Sequence, residues 1–543
     1  MIQRRTFLKT AALGAGVCVS RAAALPAEAS PGYFGVHPFI DRRPEAVFIM
    51  RTHVGEKTDT DAMRKAGEMF ARSVMVPFDA SGVPVSRRIA IKPNITGGGG
   101  NSLETMGIIT DPYFVEGVVD GMKPLGFTAS QFSVREVNCK SWDGHVYGKM
   151  AAEAGVDFRA MNGRVSGIPK EKMPRWTQND AVISENDLVW RDIPEGVVHR
   201  RLPYLWPINA PDSWLLNIAK FKTHSMGLTL CCKNFQGAVA NGYQNFCAEP
   251  DNVRIFPPEH VNPQFDRMIA ENLKRHIADG IPRWSCEGSG EQELWAARTL
   301  DSLSTTTFGL HVVEGIYGRD GHFGIGPNPH GNEDSPDGKA WDYMTNLLLF
   351  GKDPFRVDII GHWLGGHEPG NFGFFHIARE RGLSTALNPM NIPVYLWEDN
   401  AALLKPLASF DRAMLRTNYL QKTGAAAKEP LWHMCDEPFD YSSVEEKRPP
   451  VPVKPGIDVL TPVSPTSSHP SIALEYRLAE HGPARVELID DKGTTRRVLV
   501  NAIKDSGWHM VSWDTTGFQP GPYAVRFLSN GFSDVREIVL KQE

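Results

Sequence analysis

A proline-dense stretch, RPPVPVKPG at residues 448–456, divides the chain into two parts that follow different folding rules. Closely spaced prolines fix φ and withhold amide donors, so the stretch is a stiff linker rather than a strand or helix. Before it, apolar strands alternate with helical patterns. After it, the apolar pattern has period two.

In the first part the strand Ala46–Met50 precedes a helix-like stretch from Asp61 to Val74. The strand Arg88–Ile91 leads into KPNITGGGG, residues 92–100. After Thr110-Asp111-Pro112 a helical pattern continues to Leu125, and an alternating strand covers Phe132–Val137. Further apolar strands lie at Trp214–Ile218, Phe308–Val313 and Ile392–Trp397. Pro354 starts a helix, where its missing amide would be unpaired anyway. This alternation predicts an α/β fold with a largely parallel sheet and helices on both faces. In the second part, period-two runs at 472–478, 484–490, 495–500, 508–513, 523–528 and 535–540, with turns between them, predict a β-sandwich.

The N-terminus carries Arg4-Arg5-Thr6-Phe7-Leu8-Lys9, a weakly apolar run from Ala11 to Ser20, Arg21, and the small-residue site Ala27-Glu28-Ala29. This is the layout of a twin-arginine export signal, with cleavage expected after Ala29. It predicts the twin-arginine translocase as a partner during export and a periplasmic protein, with the cell surface as an alternative. The expected domains are therefore a signal at 1–29, an α/β domain at 30–446, a linker at 447–469 and a sandwich at 470–543. A formal charge of -5 on 543 residues implies no nucleic-acid partner. Beyond the signal no apolar run approaches the roughly 20 residues a membrane span needs. The cysteines show no C-x-x-C spacing, and packing is the default reading for most of them.

The chemistry concentrates in NIAKFKTHSMGLTLCCKNFQG, residues 217–237. Lys220, Lys222 and His224 alternate at period two and would share one side of a strand. Lys233, Asn234 and Gly237 follow, and Lys92 and Asn94 sit where an earlier strand ends. Ligands of open parallel sheets bind outside the carboxyl ends of the strands. Lysines and asparagines gathered there would favour a phosphate or carboxylate. Lys92, Asn94, Lys220, Lys233, Asn234 and Gly237 are the candidate anion-binding residues. His224 is the candidate general acid or base, Lys222 a candidate catalytic cation, and Glu136 or Asp358 a partner to orient His224. His322, His330, His362, His367 and His376 leave open a metal site assembled with Asp358, although no H-E-x-x-H occurs.

The α/β part resembles the family named domain of unknown function 362 over most of 45–400. The resemblance rests on Ile91-Lys92-Pro93-Asn94, Thr110-Asp111-Pro112, the run from Leu216 to His224, Lys233-Asn234-Phe235-Gln236-Gly237, Val313-Glu314-Gly315, Gly324-Ile325-Gly326-Pro327 and Gly351-Lys352-Asp353-Pro354. The family implies no settled reaction. Some members carry ferredoxin-like iron–sulfur domains, but this chain lacks the four-cysteine runs and no such cluster is expected. Residues 470–543 resemble the Ig-like modules of flagellar hook-capping proteins and type IX sorting domains. That resemblance implies an accessory module. Three functions stay open: an exported enzyme acting on an anionic small molecule, a non-catalytic periplasmic binding protein, and a metal or redox-cofactor protein exported folded.

Overall fold

The computed structural model describes residues 32–95, 107–137, 146–159, 161, 163–173, 180–224, 227–243, 256–283, 290–320, 342–398, 400–415, 417–418, 432–433, 438–445, 459–461, 471–478, 482–504, 507–515, 517–529 and 532–540. The export signal, the glycine runs at 97–100 and 324–327, His322, His330 and the proline linker lie outside these residues. The chain divides into two compact units, Met1–Phe439 and Asp440–Glu543.

In the first unit, β1 (Val47–Arg51) is followed by α1 (Thr60–Val74), β2 (Arg88–Pro93), α2 (Pro112–Met122), β3 (Phe132–Val134) and β4 (Asp157–Phe158). Then come β5 (Ser213–His224), β6 (Gly227–Thr229), the short α3 (Cys231–Asn234) and β7 (Leu310–Arg319). β8 (Asp342–Gly351), α4 (Pro354–Leu364), β9 (Val394–Glu398) and β10 (Ala401–Leu404) complete the frame. One sheet has the order β10-β9-β1-β8-β7-β5-β2-β3-β4, with β6 paired to β5.

Neighbours from β7 through β5, β2 and β3 to β4 are parallel, as is β9 with β1. The sheet is nonetheless mixed. β8 runs antiparallel between β7 and β1, and β6 and β10 are antiparallel additions. Strand direction leaves no mark in an apolar run, which is why the alternation alone predicted more parallel pairing.

The helices α1, α2 and α4 start where the sequence says. Asp59 accepts the amide of Ala62 at 2.9 Å to begin α1. Asp111 accepts from Tyr113 and Phe114 at 2.8 and 3.0 Å, with Pro112 in the first turn of α2. Asp353 and Pro354 repeat the device at α4. α1 and α2 cross nearly backbone to backbone. A Cβ on Gly117 would lie 1.9 Å from the Arg64 carbonyl oxygen, and one on Gly67 2.0 Å from that of Phe114. Met63, Phe70, Phe114 and Val118 from these helices join Ile91, Leu216, Ile218 and Val312 of the sheet in one apolar cluster. Helix α4 packs against β7, β8 and β1. Among the described residues no helix is long and apolar enough to cross a membrane.

The second unit holds two antiparallel sheets. One orders Val459–Thr461, Ser471–Leu478 and Gly507–Asp514; the other orders Thr495–Lys504, Gly482–Asp490, Gly521–Ser529 and Phe532–Leu540. All six period-two runs are strands. Leu474, Tyr476, Val486, Leu488, Trp513 and Phe527 pack into a single cluster drawn from both sheets.

Candidate functional site

Three adjacent parallel strands, β2, β5 and β7, run side by side, and their registers decide which side chains meet. Asn217 stands opposite Lys92 on one side and His311 on the other. Lys220 stands opposite Glu314, and Lys222 opposite Arg319. Side chains alternate along β5. Leu216 and Ile218 enter the apolar cluster beneath α1 and α2, while Asn217 turns to the opposite face and bonds to α3.

On that opposite face Lys92 is wholly buried, and its ammonium donates to Glu136 Oε2 at 2.7 Å, Pro93 O at 2.6 Å and Asn234 Oδ1 at 3.2 Å. Three donors meet three acceptors, so the ammonium is saturated. Burial pushes its pKa down while Glu136 opposes the shift. Asn234 is equally committed. Its oxygen accepts from Lys92 and from Asn94 Nδ2 at 3.1 Å, and its amide donates to Lys92 O at 3.1 Å and Asn217 Oδ1 at 2.8 Å. Asn217 donates in turn to Cys231 O and to His311 Nδ1. Burial drives His311 down to about 3, so it is neutral and able to accept. Gly237 closes the far side of Glu136: a Cβ there would lie 2.2 Å from Oε1.

The sequence places α3 at this spot through Asp358 on α4. Its two carboxylate oxygens accept the Cys231 and Cys232 amides at 2.7 and 2.8 Å. These are the first amides of a short helix with no partners within it. Burial raises Asp358 to about 7, against the pull of those amides. The same burial pushes both thiols well up, so Cys231 and Cys232 are packed, protonated groups.

A second network forms where β5 and β7 meet the start of α2. Lys220 donates to Glu314 Oε2 at 2.7 Å, and both side chains are buried. The Asp111 amide donates to the same oxygen at 3.2 Å, and the Ile316 amide to Oε1 at 2.9 Å. Thr110 links the two networks, accepting from the Asn94 amide at 2.9 Å and donating to Ile218 O at 2.8 Å. Asp111 is fully buried. Desolvation, and then the neighbouring Glu314 charge, raise it to about 7.

Lys222 lies between the networks. It is wholly buried. Burial, followed by the charges of Lys233 and Arg319, holds its amine well below the usual lysine range; Glu136 opposes and Lys220 adds to the shift. Lys233 also acts on Lys92, and its ammonium approaches Gln236 Oε1 at 3.4 Å. His224 is buried at the end of β5, in register with Gly227, beside which Phe372 and His362 pack.

The structure therefore joins Lys92, Asn94, Glu136, Asn234 and Gly237 directly, and gives Lys220 its own carboxylate. Glu136 bonds Lys92, and Asp358 bonds the α3 amides. Lys92 and Asn234 use their polar capacity on the protein and form a frame. Sequence reasoning gave no site role to Asp111, Asn217, His311, Glu314 or Arg319, although Asp111, Asn217 and Glu314 lie in the motifs of the resemblance. The available signal was a polar residue inside a run too apolar to be exposed, as Asn217 is between Leu216 and Ile218. Among the described residues no three His, Cys, Asp or Glu side chains gather as metal ligands. A cleft of about 610 Å³ lies elsewhere, at the end of β1 beside Arg51, Lys65, Arg72 and Trp397, and none of the lysines of the networks lines it.

The chain matches no curated protein. Among solved structures, the Ig1 domain of mouse SynCAM 2 aligns at 10% identity and a TM-score of 0.12, covering 15% of this chain and 91% of that one. So slight a likeness carries no argument about the fold. The family described as domain of unknown function (DUF362) matches residues 89–362. That span runs from β2 into α4 and holds every residue of both networks, and the chain belongs to the DUF362 family.

Proposed function

We propose that this protein binds a phosphate- or carboxylate-bearing small molecule where Lys222, Lys233 and Arg319 come together. The supporting observation is a gathering of positive charge around a buried lysine. Lys222 and Arg319 are fully buried, and the positive charges of Lys233, Arg319 and Lys220 all bear on Lys222 against Glu136. Crowded buried cations are costly unless an anion offsets them. The place is also the one where open parallel sheets take ligands.

Calorimetric titration of the full chain with inorganic phosphate tests this. Lys233→Ala is expected to weaken binding tenfold to hundredfold, the cost of about 1.5–3 kcal/mol for one charge-assisted contact, with little change in stability. Unchanged affinity in the variant, or no phosphate binding at any pH, would count against the site.

The setting we infer is the periplasm, reached in folded form through the twin-arginine translocase, with residues 470–543 as an Ig-like accessory sandwich. The support is the Arg4-Arg5 pair followed by a weakly apolar run. Lysine at both positions keeps the charge but loses the guanidinium forks a receptor would read. The precursor should then accumulate in the cytoplasm. Mature protein beginning at Ser30 in normal yield would contradict the assignment.

A further inference from the structure

We propose that the cleft where β1 and β9 end binds a phosphate monoester with a hydroxylated body, of the size of a sugar phosphate or a mononucleotide. This site is separate from the one around Lys222 and rests on different residues.

The cleft has a volume of about 610 Å³, within the range of small-molecule sites. Its place follows from the strand order. β1 and β9 are adjacent and parallel, yet the chain leaves them in opposite directions. From β1 it passes through α1 to β2, on the far side of β8. From β9 it turns back into β10 at the edge of the sheet. A crevice opens beyond the carboxyl ends of two such strands, and open α/β sheets take ligands there.

Helix α1 supplies the second wall, because its two faces do different work. Met63, Ala66, Phe70 and Val74 belong to the apolar cluster. Lys65, Glu68, Met69, Arg72 and Ser73 recur at helical spacing on the other side and line the cleft. Lys65 and Arg72 stand about two turns apart, or about 10 Å along the axis, room for a phosphate and one ring. The apolar part of the lining is Met50, Met69 and Trp397. The Trp397 indole N–H donates to Ser73 Oγ at 3.2 Å, which holds the ring against α1.

Charge decides which ligand fits. Arg72 is occupied by Glu68 at 2.8 Å. Arg51 and Lys65, both exposed to the cleft, form no ion pair and no side-chain hydrogen bond among the described residues. An arginine fork beside a lysine ammonium matches a phosphate group. Glu398, which ends β9, also lines the cleft. A carboxylate only accepts, so the ligand must donate there, as a pair of sugar hydroxyls does, and a polyanion would be repelled.

The test titrates the full-length protein by calorimetry with AMP, glucose 6-phosphate, glucose and inorganic phosphate. At least one of the two esters is expected to bind, and glucose far more weakly than its phosphate. Arg51→Gln and Lys65→Gln should each weaken the ester about tenfold or more, while Lys233→Ala leaves it unchanged. Both substituted side chains are exposed, so neither variant puts folding at risk. AMP bound in preference identifies a nucleotide site, and glucose 6-phosphate in preference a sugar phosphate site; either supports the proposal. Inorganic phosphate bound as tightly as both esters overturns it, since the hydroxylated body would then contribute nothing. Ester binding lost in Lys233→Ala but kept in Arg51→Gln and Lys65→Gln moves the ligand to the site around Lys222 and overturns the cleft. If neither ester binds, the cleft fails alone, because the reading around Lys222 is judged by inorganic phosphate and Lys233→Ala.

Discussion

Glu136→Ala is expected to destabilise the first unit by about 3–5 kcal/mol, the usual cost of leaving one partner of a buried ion pair alone. Lys92 would keep its Pro93 and Asn234 acceptors but lose the carboxylate at 2.7 Å. Its ammonium has no route to solvent, being 0% exposed. The amides of Ile95 and Val137, which also donate to Glu136, would lose an acceptor as well. Urea unfolding followed by tryptophan fluorescence measures the loss. Lys92→Met combined with Glu136→Leu should recover much of it, because an apolar pair removes both desolvation costs. A loss below about 1 kcal/mol in Glu136→Ala, the size of an exposed pair, would mean that the contact is not sealed from water.

Asp111→Asn is expected to act in the opposite direction. A carboxyl raised from 3.8 to about 7 holds its proton in the folded chain after the unfolded chain has lost it. Its contribution is therefore fully present below pH 3.8 and is lost as pH rises towards 7. Asparagine keeps an oxygen for the Tyr113 and Phe114 amides but never ionises. The variant should match the unaltered protein near pH 4 and exceed it at pH 8, by an amount on the order of 2–4 kcal/mol. Asp358, also near 7, sustains part of the decline in the variant. Glu293 and Glu380, held near 2 chiefly by Arg283, His276 and Arg275 against burial, give stability that is present above 4.5 and lost as pH falls towards 2. Stability curves from pH 3 to 9 that coincide for both proteins would refute the Asp111 assignment.

The strands of the second unit, and the central strands and the helices α1, α2 and α4 of the first, were legible, because apolar periodicity and Asp-led helix starts are local signals. The period of Ala46–Met50 or Phe308–Val313 marks a strand without saying which strand lies beside it or in which direction it runs. That is why β8 was not foreseen as an antiparallel intruder between β7 and β1. The cations of the site were legible as a cluster. Their carboxylates were not, since Glu136 lies 44 residues from Lys92, and Glu314 lies 94 residues from Lys220. Strand order alone creates these pairs. β3 beside β2 brings Glu136 to Lys92, and β7 beside β5 brings Glu314 to Lys220.

The two faces of β5 carry a restriction on how such a chain can change over time. Asn217 serves the network against α3, and Lys220, three positions on, serves the network against α2. Inserting or deleting one residue between Ser213 and Asn217 would turn each later side chain to the wrong layer, placing Asn217 in the apolar cluster and an isoleucine against Asn234. No single later substitution could repair both layers at once. Length variation at this centre is thus confined to the connections beyond the strand ends, after residues 95, 137, 224 and 320.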